Sequence, residues 1–149
     1  MPLPHSPAGQ SYARPNAAEV AWALDAADAA RSDGALGGHR AARTACAILA
    51  AAVWDELTGF DPQVPFDAVG LELVLDAFGE VMTTGHLWRA DGSEFAIVDG
   101  VWLHDVCEWT SLLTDDNASA WSPLCSPLPP LAPGLSRFRL DLVRAAQSE

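Results

Sequence analysis

His104, Asp105, Cys107 and Glu108 fall within a single stretch of five residues, and His86 lies upstream in a run that alternates like a strand. On a helix, His104 and Glu108 would stand one turn apart. With His86 from a neighbouring strand they would form an acid–base pair or a small set of metal ligands. Established metal motifs need two or more ligands at a diagnostic spacing, and a single His-x-x-Cys recurs too often by chance to be one. The expected arrangement is therefore structural: Asp105 caps a helix, Cys107 is buried and His104 ends a strand, with no metal and no other cofactor.

Other chemistries find less support. Ser93 follows an Asp-Gly pair in no G-x-S-x-G context, so a Ser-His-Asp arrangement has no local basis. Neither Cys107 nor Cys125 sits in a cysteine-nucleophile motif. The segment ALGGH has too few glycines, and no following Lys-Ser or Lys-Thr, for a phosphate loop. All eight basic residues are arginine. A chain without lysine has no Schiff-base nucleophile and no lysine general base.

Residues 65–85 carry the other notable pattern. Read at helical period, they form one helix whose only charged residues are Asp67, Glu72, Asp76 and Glu80. Glu72, Asp76 and Glu80 are four apart and share a face. Like charges at that spacing repel by roughly a few tenths of a kcal/mol per pair, a cost that a basic partner would offset. The net charge of -12, from 20 acids against 8 bases, points the same way. Such a chain is a poor binder of nucleic acid or of anionic membrane, and its expected partner is a basic protein surface.

The elements that must position these residues follow from period and punctuation. Residues 1–15 hold Pro2, Pro4, Pro7 and Pro15 and read as an extended arm preceding one domain over 16–149. A first helix is expected over 19–31, with Asn16 as cap and Gly34 at its end. A second is expected over 39–57, where Cys46, Leu49, Ala50, Val53 and Leu57 follow helical spacing and small alanines suit packing on several sides. The acidic segment would be the third.

After it, HLWRA, Asp91-Gly92 and SEFAIV read as a β-hairpin, with Asp99-Gly100 a second turn before a strand VWLH. Residues 122–134 contain Pro123, Pro127, Pro129, Pro130 and Pro133 and read as a strap that can be neither helix nor central strand. Residues 136–147 fit strand and helix alike, and Ser136 as a cap favours helix. Of six tryptophans, Trp54 is assigned to the core, Trp88 and Trp102 to strands, and Trp121, beside the strap, either to pinning the strap onto the domain or to partner contact. Three cysteines without CxxC spacing argue against a disulfide framework, and the absence of a signal-peptide pattern or spanning segment gives a cytoplasmic expectation.

Residues 66–100, ending in GHLWRADGSEFAIVDG, resemble the end of a winged-helix domain, where a recognition helix leads into a hairpin wing. That resemblance implies a regulator whose recognition helix would be the acidic one, unsuited to phosphates. VPFDAVGLELVLDAF also resembles the opening of the second helix of acyl carrier proteins. Glu72-Leu73-Val74 stands where the serine-bearing triplet would be, so no carrier activity is implied.

The expected fold is α+β: an N-terminal three-helix half, a small antiparallel hairpin or three-stranded sheet, a proline-rich strap and a C-terminal helix. The expected function is a non-enzymatic acidic protein-binding module of adaptor, inhibitor or immunity type. It would present Asp67, Glu72, Asp76 and Glu80, with Trp121, to a basic partner. Self-association through an apolar helix face is compatible with it. The alternatives are a metal-binding or acid–base enzyme centred on His86, His104, Asp105 and Glu108, and a degenerate winged-helix regulator.

Overall fold

A computed structural model describes residues 36–59, 61, 63–130 and 132–147, with side chains from residue 39 onward. The expected arm and first helix lie outside the described residues. Among the described residues the fold is α+β, with four helices and a six-stranded antiparallel sheet.

Helix α1, Leu36–Thr58, confirms the apolar helix and extends it by a few residues. Ala41, Ala45, Cys46, Leu49 and Val53 enter the core, and Ala47, Ile48 and Ala51 on other sides of the same helix are also buried. A helix apolar around most of its circumference belongs inside the protein, where small alanines let neighbours approach.

The acidic segment is not a helix. Its first part is strand β1, Ala68–Leu75, the centre of the sheet. Two periodicities compete in AVGLELVL, and period 2 prevails: Leu71 and Leu73 enter the core on one face, while Gly70, Glu72 and Val74 take the other. Gly70, Val69 and Val74 weaken the helical alternative. Pairing on both edges then completes the strand's hydrogen bonds, with β3 (His86–Arg89) on one side and β6 (Ser136–Asp141) on the other. This change also removes the three-helix half and both resemblances built on it, because the segment read as recognition or carrier helix is a central strand.

Strand β1 turns back through a tight tip into β2, Val81–Met82. The hairpin expected around Asp91-Gly92 is present: β3 pairs with β4, Glu94–Ala96, and Gly92 adopts φ 88°, which a side chain would resist. Asp91 Oδ1 accepts from the Ser93 amide and hydroxyl, which hold its carboxyl below the usual range.

Asp99, rather than Asp105, is the next helix cap. Its carboxylate accepts from the amides of Val101 and Trp102 and opens α2, Gly100–Thr110. The expected strand VWLH is therefore the first turn of this helix, and Trp102 is a helical residue whose Nε1 donates to Ala52 O of α1 at 3.1 Å. A short α3, Ala118–Trp121, and a 3-10 turn, Ser122–Leu124, lead into β5, Cys125–Leu128. The strap thus supplies an edge strand, the one sheet position that tolerates Pro127.

The ambiguous last segment is both of its readings in succession: β6 over Ser136–Asp141, then helix α4 over Leu142–Gln147. The strand order is β4-β3-β1-β6-β5, with β2 paired on β1. Leu71, Leu73, Leu87, Leu140, Phe66 and Trp121 share one core cluster with α1 and α2.

Candidate functional site

The sheet face that carries Leu71 and Leu73 is occupied by the core, so the charged residues of the central strands gather on the opposite face. There Glu72 lies beside Arg137 and Arg139 of β6. Arg137 Nε and Nη2 lie 2.7 Å and 2.5 Å from Glu72 Oε2, and the Thr84 hydroxyl donates to the other carboxylate oxygen. Glu72 is buried. This corrects the expectation that Glu72 faces a partner: its counter-ion comes from the same chain, and its carboxylate is saturated.

Next to that pair, the Arg139 guanidinium lies over Trp88, 5.3 Å from the ring centroid. The route is open because residue 70 is glycine, where an added Cβ would stand 2.6 Å from Arg139 Nε. His86 Nε2 contacts Glu94 Oε1 at 2.7 Å, and its ring meets Trp88 edge-on at 4.8 Å between centroids. The face thus carries two groups, Glu72 with Arg137 and Thr84, and the Trp88 indole between Arg139 and the His86–Glu94 pair.

The remaining expected contact residues separate. Asp67 sits 3.7 Å from Arg89 Nε, and that guanidinium also stacks on Phe95. Trp121 is fully buried, its Nε1 donating to Thr114 O and Asn117 Oδ1, and its ring packs against Phe138. It is a core residue, as the strap-pinning reading expects, with no exposed surface to offer. The proline segment needs such an anchor, because its own prolines cannot donate to a ladder.

The enzyme alternative is not assembled. His104, Asp105 and Glu108 are on exposed positions of α2, whereas His86 is engaged with Glu94 on the sheet. Among the described residues no three His, Cys, Asp or Glu side chains are gathered in a way that could hold a metal ion. Asp105 instead lines a cleft of about 310 Å³ between α1 and α2, together with Asp55, Glu56, Trp102 and Trp109. Cys107, expected to be buried, is exposed, whereas Cys46 and Cys125 carry the shielded thiols.

Asp76 and Glu80 have a different setting, at the tip between β1 and β2. Asp76 Oδ1 accepts from the amides of Phe78 and Glu80 at 2.9 and 3.0 Å, and Gly79 takes φ 83°. A second loop braces this turn: Asp115 N donates to Gly79 O at 3.0 Å, and Glu80 forms a β-bridge with Thr114. The bracing brings Asp115 and Asp116 to the same end of the molecule. Among the described residues, none of Asp76, Glu80, Asp115 and Asp116 is ion-paired. Between them Phe78 is 89% exposed.

Sequence reasoning missed Phe78, Asp115 and Asp116. The signal was present, since Asp76-Ala77-Phe78-Gly79 after the alternating Leu71, Leu73 and Leu75 is a turn following a strand.

No protein-family model matches the chain, and neither a curated protein nor a solved structure matches it. Geometry alone therefore bears on function. Among the described residues no helix is long and apolar enough to cross a membrane.

Proposed function

We propose that this chain is a non-enzymatic acidic protein-binding module, of adaptor, inhibitor or immunity type, that captures a basic partner at the β1–β2 tip. The observation that carries this reading is the set of Asp76, Glu80, Asp115 and Asp116 on one braced end, without ion pairs among the described residues. The chain's net charge of -12 supports the same sign of partner, and long-range attraction would speed the encounter.

Magnitude limits what these carboxylates do alone. An exposed ion pair contributes about 0.2–1 kcal/mol, so four would supply roughly 1–4 kcal/mol. A micromolar complex needs about 8 kcal/mol. Charge at the tip steers and orients, and a stable complex requires further contact.

The test is titration of the full chain with a fluorescein-labelled arginine–serine peptide at several salt concentrations. Asp76→Asn with Glu80→Gln and Asp115→Asn should weaken binding about tenfold and flatten its salt dependence. Asn keeps an acceptor for the Phe78 and Glu80 amides, so the turn is retained. Undiminished binding in that variant overturns the reading, and a selective loss on Asp105→Asn would move the docking face to the α1–α2 cleft.

A further inference from the structure

We infer that Phe78 is the apolar anchor of this docking face, and that the partner surface is an apolar socket rimmed by arginine or lysine. The inference rests on the acidic-module reading and specifies its occupant.

Three observations carry it. The first is exposure: among the described residues Phe78 is the largest and the most exposed of the solvent-facing apolar side chains, at 89%, ahead of Val98 at 84%. Isolated exposed apolar residues are common, but an aromatic ring at full exposure forgoes a large burial gain, and aromatic side chains are the usual energetic centres of interfaces.

The second is presentation. The Phe78 amide is bonded to Asp76 Oδ1, Gly79 N donates to Asp76 O at 3.1 Å, and the 114–115 loop holds the far side of the turn. An added Cβ at Gly79 would stand 3.3 Å from Asp115 Cβ, which shows how closely the two loops approach. The backbone that carries the ring is held before binding, so less backbone freedom is given up when the ring inserts.

The third is charge complementarity. A ring flanked by Asp76, Glu80, Asp115 and Asp116 fits a socket whose rim is cationic. The same carboxylates oppose insertion of the ring into an anionic bilayer and its stacking beside nucleic-acid phosphates. They also oppose a second copy of this chain docking tip to tip.

Two fluorescein-labelled peptides of equal length and charge test this with the full chain, one alternating arginine with leucine and the other arginine with serine. The arginine–leucine peptide should bind at least tenfold more tightly. Phe78→Ala should abolish that preference with the urea midpoint unchanged and with a much smaller loss of arginine–serine binding, and Phe78→Trp should keep the preference. A preference that survives Phe78→Ala overturns the anchor but leaves the charge reading intact. Failure of the wild type to bind the arginine–serine peptide overturns the charge reading, and the anchor built on it as well.

Discussion

Arg137 lies against Glu72 from the neighbouring strand, with both Nε and Nη2 on one carboxylate oxygen, although the two residues are 65 positions apart in the chain. Their side chains are only 18% and 5% exposed. Removing one partner of a pair at this depth leaves a charge out of water, a penalty of about 3–5 kcal/mol. Arg137→Ala should therefore lower the urea midpoint severely. Glu72→Gln, which keeps the shape and can turn its carbonyl oxygen to Arg137 while the Thr84 hydroxyl accepts from its amide, should cost less. Replacing both, as Glu72→Leu with Arg137→Met, should recover most of the stability. A mild Arg137→Ala would show that the pair is open to water.

Gly70→Ala places a methyl against the Arg139 side chain and must push the guanidinium from Trp88. Stacking of this guanidinium on the indole contributes about 0.5–1 kcal/mol. In an Arg139→Ala background the same substitution should cost little or nothing. The double-mutant cycle in urea, followed by tryptophan fluorescence, measures this coupling, and additive effects would refute it.

Trp121→Phe preserves an aromatic core but deletes the donor to Thr114 O and Asn117 Oδ1. Asn117 Oδ1 keeps the Thr114 amide, so the loss falls on the part-buried Thr114 O, and one lost hydrogen bond costs about 0.5–1.5 kcal/mol. Calorimetry should show a lowered Tm with the far-ultraviolet spectrum unchanged. Asn117 should be similarly sensitive, since its amide donates to Leu112 O and its carbonyl accepts from Thr114 N.

Burial pushes the Cys125 thiol up to about 12, with Arg144 partly opposing and Asp141 adding to the rise, and burial raises Cys46 further. A thiol with a raised folded pKa stabilises the fold fully below its unfolded value near 9, and that contribution disappears as pH rises toward 12. Because the chain has no lysine and a single tyrosine, few other side chains titrate in that window. Stability should fall by up to about 1.4 kcal/mol per pH unit for each thiol. Cys46→Ala with Cys125→Ala should flatten that slope. At neutral pH, iodoacetamide should modify the exposed Cys107 in the native chain, and all three cysteines only after unfolding.

Much of the architecture is legible locally. Helix α1 is readable because its apolar positions repeat at helical spacing through ten residues of ACAILAAAVW. The β3–β4 hairpin is readable because Asp91-Gly92 is a turn pair between two alternating runs, and the prolines of 122–134 rightly bar a central strand. Asp99 marks a turn in the sequence, while its role as a helix cap emerges only from the fold. Residues 136–147 hold both periods because the chain changes element at Asp141–Leu142, within one apolar pattern.

The error at residues 65–85 has a definite physical source. Glu72, Asp76 and Glu80 are helically spaced, yet Leu71, Leu73 and Leu75 alternate, and a short segment satisfies both counts. Sequence alone settled the acidity, the absence of lysine chemistry, the apolar central helix and the Asp91-Gly92 hairpin turn, because each depends on residue type or near-neighbour spacing. The tertiary fold decided that β1 is a strand, that Arg137 neutralises Glu72 and that the 114–116 loop joins Asp76, Phe78 and Glu80 at one end. These depend on strands and loops brought together from distant parts of the chain, and the energies of such pairings are absent from any local window.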